Sequence, residues 1–212
     1  MLNIKILSFN AFQVNTYLLY DETGECAIID PACYEPHEEK QLEEFIDSNK
    51  LKPVLQLYTH CHIDHVLGTN FVSEKYGLKP MTHKDSEFFF KTAKMHGASF
   101  GFEIEELVMP EKWIEDKEII TFGNQKLEAI LAPGHAAGSL CYYNEDNKFL
   151  ISGDVLFHGS IGRTDLPTGD FNTLISSIKN RLMVLPENTV VYPGHGDKST
   201  IGFEKNNNPF LT

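Results

Sequence analysis

The chain has 212 residues, of which 42% are hydrophobic and 23% charged, as in an ordinary globular protein. Its 18 basic and 30 acidic residues give a formal net charge of −12. Such a charge repels nucleic acid unless a basic patch overrides it. The densest group of Lys and Arg, residues 79–94, is interrupted by Asp85 and Glu87. The composition therefore argues against a nucleic-acid partner.

The N-terminus and the cysteines indicate where the protein works. The first residues lack the basic region and long apolar run of a signal peptide, and no stretch is long enough to span a membrane. The four cysteines show neither a C-x-x-C motif nor the spacing of a disulfide framework. We therefore predict a cytoplasmic protein with no membrane partner, and we make no prediction of its oligomeric state.

Short apolar runs predict strands that alternate with helices in chain order. Strands are expected over residues 2–9, 14–20, 26–29, 54–58, 119–122, 126–131, 141–143, 149–152 and 190–192. Helices are expected over residues 36–49 and 171–182, the second with Asp170 as its N-cap. No repeat or linker interrupts this pattern, so we predict one α/β domain over residues 1–212, with the helices on the outside.

The segment 86–112 breaks the alternation and is rich in Phe and Met. It can form an apolar lid or substrate wall. It can equally form a pair of helices that pack their own aromatic face. The sequence leaves both interpretations open.

The densest group of candidate ligands is His60, His62, Asp64 and His65, directly after a predicted strand. Imidazole and carboxylate ligands together suit Zn, Fe or Mn. The run therefore predicts a metal site. Cys61 lies between two of these ligands, either as a further ligand or reactive thiol or, as we prefer, as a spacer.

Three more candidates share one local context, in which a strand is followed by Gly and then by a ligand-type residue. They are His135 in Pro-Gly-His, Asp154 in Gly-Asp and His195 in Pro-Gly-His-Gly. Glycine permits the sharp turn that such a position needs, and strand ends hold side chains well. We expect the three to converge at one edge of a sheet.

The motifs H-x-H-x-D-H, P-G-H, G-D and P-G-H-G, in this order, resemble those of the metallo-β-lactamase-fold hydrolases, and in particular the glyoxalase II-like branch (hydroxyacylglutathione hydrolases). The resemblance implies a four-layer αββα sandwich and a centre of two divalent metal ions, with Zn expected first and Fe or Mn as alternatives. It assigns His60, His62 and His135 to one ion, Asp64, His65 and His195 to the other, and Asp154 to both.

The chemistry implied is hydrolysis of a small-molecule thioester such as S-D-lactoylglutathione. Two metals that share a water lower its pKa from about 15.7 toward roughly 7, and the resulting hydroxide attacks the carbonyl carbon. Asp64 and Asp154 are thus the predicted catalytic residues, with proton shuttling as an alternative role for Asp64. Asp30 is predicted to support the ligand loops from outside the metal centre.

Substrate binding is predicted for Arg163, in the sequence Gly-Arg-Thr-Asp. It occupies the position where glyoxalase II enzymes usually have a Lys that contacts a glutathione carboxylate, and arginine can bind a carboxylate bidentately. Alternatively, Arg163 pairs with Asp165 or Asp170 and stiffens the loop. The chain ends shortly after the last ligand and lacks the C-terminal helical region of full-length glyoxalase II, so glutathione specificity stays open.

Two other functions remain as alternatives. A persulfide dioxygenase resembles the same branch and would hold one iron with His60, His135 and Asp154. A non-enzymatic metal-binding protein of the same fold is the third. β-Lactamase and nuclease activities of this fold are disfavoured, because no signal peptide is evident and because the net charge is acidic.

Overall fold

The structure, a computed structural model, describes residues 1–212 and divides into two compact units. The first unit comprises Met1–Trp113 and Thr121–Gln125, and the second comprises Ile114–Ile120 and Lys126–Thr212. The single domain predicted over residues 1–212 stays a prediction. No helix in the chain combines the length and apolar character needed to cross a membrane.

The first unit contains a six-stranded sheet and four α-helices. Its strands are β1 (Asn3–Phe9), β2 (Val14–Tyr20), β3 (Glu25–Ile29), β4 (Lys52–Leu57), β5 (Pro80–Thr82) and β6 (Lys112–Trp113). Its helices are α1 (Pro36–Ser48), α2 (Ile63–Val66), α3 (Thr69–Tyr76) and α4 (Glu87–Ser99). The strands lie in sequence order, antiparallel from β1 to β3 and parallel from β3 to β6. The carboxyl ends of β3 and β4 therefore meet at one edge of the sheet.

Apolar residues of the sheet and of α1 form the core of this unit. Phe9, Leu18 and Ile28 are completely buried and pack in one cluster with Leu42 of α1. The helix begins with Pro36 at its first turn, and a capping box between Glu35 and Glu38 satisfies its first amides. Burial of these side chains fixes the strand ends from which the candidate ligands project.

The other sheet lies mainly in the second unit, and only residues 121, 122 and 125 of its strands belong to the first. Its strands are β7 (Ile119–Phe122), β8 (Gln125–Leu131), β9 (Leu140–Asn144), β10 (Phe149–Gly153), β13 (Val190–Pro193) and β14 (Ser199–Thr200), and a separate hairpin is formed by β11 (Leu156–Phe157) and β12 (Ser160–Ile161). Its helices are α5 (Phe171–Ser177), which continues as a π-helical turn over Ile178–Leu182, and α6 (Ile201–Asn207). The sheet order is β14-β13-β10-β9-β8-β7.

Strands β8, β10 and β13 run in the same direction. β9 is antiparallel to both β8 and β10, and β10 is parallel to β13. All three strands therefore present their carboxyl ends at the same edge of this sheet. The expectation that His135, Asp154 and His195 follow strand ends at one edge is confirmed by this topology.

The predicted strands all form, with ends that differ from the prediction by no more than two residues. The largest shift is in β4, which begins at Lys52 instead of residue 54 and so includes Pro53. Proline cannot donate a ladder hydrogen bond, and the β3–β4 register is irregular next to the Cys26–Pro53 pair. Asp170 caps α5 as predicted, because its carboxylate accepts a hydrogen bond from the Thr173 amide at 2.7 Å.

Candidate metal centre

In the first unit, the ligand run follows β4 and continues into the single turn of α2. The rings of His60 and His62 lie 4.8 Å apart, and those of His60 and His65 lie 4.1 Å apart, measured between centroids. Asp64 is on the same turn as His65, with its Oδ2 3.7 Å from Nε2 of His65. The structure therefore brings these four predicted ligands into one group, although β4 contributes none of them itself.

Asp30 fixes the orientation of this group from the end of β3. It is completely buried, and its Oδ1 accepts a hydrogen bond from the Thr59 amide at 2.7 Å. Its Oδ2 accepts from the Thr59 hydroxyl at 2.6 Å and lies 3.0 Å from Nδ1 of His65. Because the Thr59 hydroxyl donates to Asp30, its oxygen is left to accept from Nδ1 of His60, at 3.2 Å. One carboxylate thus orients two histidines.

Asn10, in the β1–β2 turn, braces the same group. Its side-chain amide donates to the carbonyl oxygen of Asp64 at 2.9 Å and to that of Ala32 at 3.0 Å. Its backbone φ of 53° lies in the left-handed region, which Asn tolerates better than most residues. This contact was not predictable from the sequence, because a lone Asn in a turn is usually only a turn residue.

In the second unit, Asp154 lies between two histidines from other strand ends. Its Oδ2 is 3.7 Å from Nε2 of His135 and 3.5 Å from Nε2 of His195. The loops after β10 and β13 are joined by a hydrogen bond from the Gly194 amide to the Gly153 carbonyl at 2.8 Å. The three predicted ligands of this unit therefore form a second group.

Close backbone packing places His135. Its Nδ1 lies 2.8 Å from the carbonyl oxygen of Arg163, and its ring is almost completely buried. Gly162 passes so near that a Cβ there would meet the carbonyl oxygen of Asp154 at 1.9 Å. Gly134 has a φ of 127°, and a Cβ on it would meet the backbone of Leu174 at 2.2 Å. Only glycine fits at either position.

The nitrogen and oxygen atoms of both groups suit a metal cation. A carbonyl or carboxylate oxygen only accepts, so the contacts at Nδ1 place the ring hydrogen of His135 and His65 on Nδ1. With the hydrogen on Nδ1, the Nε2 of a neutral ring would present a lone pair toward an aspartate oxygen 3.7 Å away. A cation satisfies both of these electron-rich atoms, and histidine ligands held by a carboxylate or carbonyl are a common arrangement around bound metals.

The thiol of Cys61 contacts a residue outside the group of candidate ligands. Its side chain is buried, and its Sγ lies 3.6 Å from the Thr82 hydroxyl. Burial raises the pKa of the Cys61 thiol well above its ordinary value, so it is protonated at neutral pH. These contacts favour the spacer interpretation over a reactive thiol.

The aromatic segment contributes one helix, α4, and not a pair of helices. Phe89 on α4 is buried, and its ring meets that of His62 edge to face at a centroid distance of 5.0 Å. After the helix, Phe100 and Phe102 each lie 5.9 Å from the ring of Phe12 in the β1–β2 turn. Phe12 and Phe100 are exposed, whereas Phe102 is buried. Of these rings, Phe89 is in contact with a candidate ligand, and the wall interpretation of the segment rests on that contact.

A groove of about 600 Å³ opens beside the second ligand group, and it is lined by Asp154, His195, Arg163 and the β11–β12 hairpin. Arg163 forms a bidentate ion pair with Asp165, as one of the two interpretations of this loop expects. Its role in substrate binding stays a prediction. The sequence analysis missed the contribution of its backbone, which holds His135.

Glu204 and Asn208 support the hairpin that lines this groove, and the sequence analysis missed both. Glu204 is completely buried and accepts hydrogen bonds from the Gly159 amide at 3.1 and 3.0 Å and from Asn208 at 2.7 Å. It also accepts one from the Ser199 hydroxyl. Asn208 donates in addition to the carbonyl of Ser160 at 3.0 Å. A Glu inside a polar helix gives no sign in the sequence that it is buried.

The chain is similar in sequence to proteins of one known family. The family model of the metallo-β-lactamase superfamily matches residues 9–195. The chain is 35% identical over 212 residues to the hydroxyacylglutathione hydrolase GloC of Haemophilus influenzae, covering 99% of this chain and 98% of that protein. The chain belongs to the metallo-β-lactamase superfamily, whose members are metal-dependent hydrolases.

Two solved structures are similar over nearly the whole chain. The BLEG-1 B3 metallo-β-lactamase has a TM-score of 0.89 and 33% identity, with all of both chains covered. TTHA1623, solved in a di-iron-bound form, has a TM-score of 0.88 and 33% identity, covering 98% of this chain and all of that one. The predicted fold class, α/β with the metallo-β-lactamase fold, is confirmed, and this fold binds divalent metals.

Proposed function

We propose that the protein is a hydrolase of small-molecule thioesters with two divalent metal ions. His60, His62 and His135 would hold one ion, Asp64, His65 and His195 would hold the other, and Asp154 would serve both. The observation that carries this proposal is the position of the Asp154 Oδ2, 3.7 Å from Nε2 of His135 and 3.5 Å from Nε2 of His195. One carboxylate oxygen is thus within reach of two histidines assigned to different ions.

The assignment also draws on the relatives. The family model spans both ligand groups, and TTHA1623 is described in a di-iron-bound form. The ligand set contains no sulfur, which suits Zn, Fe or Mn. When bound, the two ions supply Lewis-acid chemistry that activates a water for attack and polarises the substrate carbonyl.

The protein's own residues orient the ligands and shape the site. Asp30 and the Arg163 carbonyl hold the Nδ1 hydrogens of His65 and His135, so that Nε2 would be the ligand atom of each ring. Phe89 packs against the ring of His62 and limits the access of water to it. Asp64, with 15% of its side chain exposed, is the ligand through which a proton can leave to solvent. No Ser or Cys nucleophile is required.

The substrate proposal rests on the groove and on one relative. Arg163 lines the groove next to Asp154 and presents a guanidinium that suits a carboxylate. The relative from Haemophilus influenzae is named a hydroxyacylglutathione hydrolase. We therefore propose S-D-lactoylglutathione, a thioester with free carboxylates, as the first substrate to test, and a cytoplasmic small-molecule role without nucleic-acid or membrane partners.

Elemental analysis combined with a thioester assay tests the proposal. We expect close to two metal ions per chain and hydrolysis of S-D-lactoylglutathione. Asp154→Ala and His135→Ala should each abolish the activity, whereas Glu187→Gln, an exposed change in the same unit, should retain it. Full activity of Asp154→Ala would refute the assignment. A single iron per chain with oxygen uptake on glutathione persulfide would instead establish the dioxygenase alternative.

A further inference from the structure

The Arg163–Asp165 pair has the geometry of a bound carboxylate. The Nε of Arg163 lies 2.7 Å from Oδ1 of Asp165, and its Nη2 lies 2.8 Å from Oδ2. Two parallel N–H···O hydrogen bonds of this kind are how arginine binds a carboxylate ligand. The chain therefore places its own carboxylate on the Nε–Nη2 edge of the guanidinium, one of the two edges through which arginine binds a carboxylate.

The pair is exposed and held by short-range contacts. Arg163 is 61% exposed and Asp165 is 68% exposed, and both belong to the loop that follows β12. Arg163 cannot move away as a whole, because its carbonyl oxygen holds His135 and Gly162 packs against the carbonyl of Asp154. Side-chain rotation, by contrast, meets little obstruction at this exposure. The pair can open without disturbing the ligand group behind it.

Both side chains are charged at neutral pH. The hydrogen bonds with Arg163 lower the pKa of Asp165 to about 2, and the same contact raises the pKa of Arg163 above its ordinary value. The positive charge that would attract an anionic substrate is therefore largely cancelled by a carboxylate in direct contact with it. This cancellation weakens the attraction of an anionic substrate to either edge of the guanidinium.

We propose that Asp165 is a specificity-determining residue that competes with the carboxylate of the substrate for Arg163. This competition lowers the affinity for anionic substrates and so reduces the difference in affinity between anionic and neutral ones. The inference rests on the proposed function in one respect, that Arg163 is the residue which meets a substrate carboxylate. It differs from a stiffening role for the pair, because a stiffening pair would aid binding and a competing pair weakens it.

The size of the competition follows from the exposure of the pair. Exposed ion pairs are weak, so displacing Asp165 should reduce the affinity for a carboxylate by only about two- to fivefold. The effect should also shrink at high salt, where exposed charges are screened. A larger penalty would require a buried pair, which this one is not.

Calorimetric titration of the metal-loaded full chain with S-methylglutathione, which has no thioester to hydrolyse, tests the proposal. We expect Asp165→Asn to bind this probe about two- to fivefold more tightly than the wild type. The diethyl ester of the probe, in which both carboxylates are esterified, should show no such gain. Glu187→Gln removes one negative charge from another exposed pair, Lys205–Glu187, and should leave the affinity unchanged.

A double-mutant comparison decides between competition and the alternatives. In an Arg163→Gln background, Asp165→Asn should no longer change the affinity. Unchanged or weaker binding by Asp165→Asn in the wild-type background would overturn the proposal, and so would an equal gain in the Arg163→Gln background. The titration measures binding alone, so failure of the proposed thioesterase activity would appear separately, in the hydrolysis assay of the wild type.

Discussion

Asp30 and His65 form a hydrogen bond of 3.0 Å between Oδ2 and Nδ1, with both side chains completely excluded from solvent. The same carboxylate holds Thr59, and through it His60. In the proposed two-metal centre, His60 and His65 would serve different ions, so one buried aspartate would support ligands of both. The ligands therefore depend on the end of strand β3 as much as on their own loop.

Replacing this aspartate should lower metal affinity. In Asp30→Asn, the amide nitrogen would confront the hydrogen on Nδ1 of His65 or the Thr59 hydroxyl, because all three groups donate. Loss of such an outer contact typically costs about 10–100-fold in metal affinity. We expect less metal per chain after dialysis against a weak chelator, measured by elemental analysis. Asp85→Asn, an exposed change in the same unit, should retain wild-type metal content, and equal retention by Asp30→Asn would contradict the role.

Gly162→Ala should destabilise the second unit strongly. Its Cβ would meet the Asp154 carbonyl oxygen at 1.9 Å and Nδ1 of His135 at 3.1 Å, so the loop or both ligands must move. Overpacking of this kind costs about 1–3 kcal/mol or more. We expect a lower midpoint of chemical unfolding and weaker metal binding together.

Gly101→Ala is the control for backbone strain alone. Gly101 has a φ of 83°, but a Cβ there would meet nothing within 4 Å. The free energy of unfolding of this variant should fall by about 1–2 kcal/mol, because alanine is strained in the left-handed conformation. Its metal binding should be unaffected. If Gly162→Ala bound metal as tightly as Gly101→Ala, the close approach at Gly162 would have no part in placing the ligands.

Glu204→Gln should destabilise the hairpin beside the groove. The carboxylate accepts hydrogen bonds from three donors without exposure to water, and the Gly159 amide is shared between its two oxygens. An amide would turn one of these acceptors into a donor that faces other donors. A buried polar group left without its partner costs about 1–3 kcal/mol. Urea unfolding monitored by circular dichroism should show this loss, whereas the exposed Glu187→Gln should change stability by less than about 0.5 kcal/mol. Equal midpoints for the two variants would rule out the support role.

We expect Asp116 to make the stability of the folded protein depend on pH. Burial acts to raise its pKa, but hydrogen bonds from Arg181 and from the Leu131 amide outweigh burial, and the pKa is lowered overall. A lowered folded-state pKa gives stability that is present above the unfolded value of about 3.9 and is lost as the pH falls through the folded value.

Asp116→Asn should therefore be less stable than the wild type at pH 7, by about 1–2 kcal/mol for a partly exposed charged hydrogen bond. The difference should shrink as the pH falls below about 4. Urea unfolding of both proteins from pH 7 to pH 3 measures it, with the exposed Asp146→Asn as control. A difference that stays constant over this range would exclude the carboxylate as its source.

The sequence allowed the candidate ligands to be placed relative to the strands, because each group of them comes shortly after an apolar strand. Apolar strand patterns are visible in the sequence itself. It was therefore possible to place His135, Asp154 and His195 at strand ends without knowing which strands are neighbours. The edge that they share depends only on strand direction, which the alternation of elements constrains. The residues that orient the ligands follow no such pattern.

Contacts that depend on distant parts of the chain were not predictable. Glu204 and Asn208 support a hairpin that lies far from them in sequence, and nothing near them signals burial. The strands β5 and β6, of three and two residues, are too short to show a periodicity. Helix α6 was missed as well, because its polar sequence lacks the apolar repeat that marks a helix.

The parallel pairing of β10 with β13 also bears on the order of folding. The two strands are separated by the β11–β12 hairpin, the Arg163 loop and α5, so their pairing closes a long loop and is expected to come late. Asp154 and His195 become neighbours only at that step. Under refolding conditions, uptake of metal by this unit should therefore lag behind secondary-structure formation, which makes the metal a reporter of the last stage of folding.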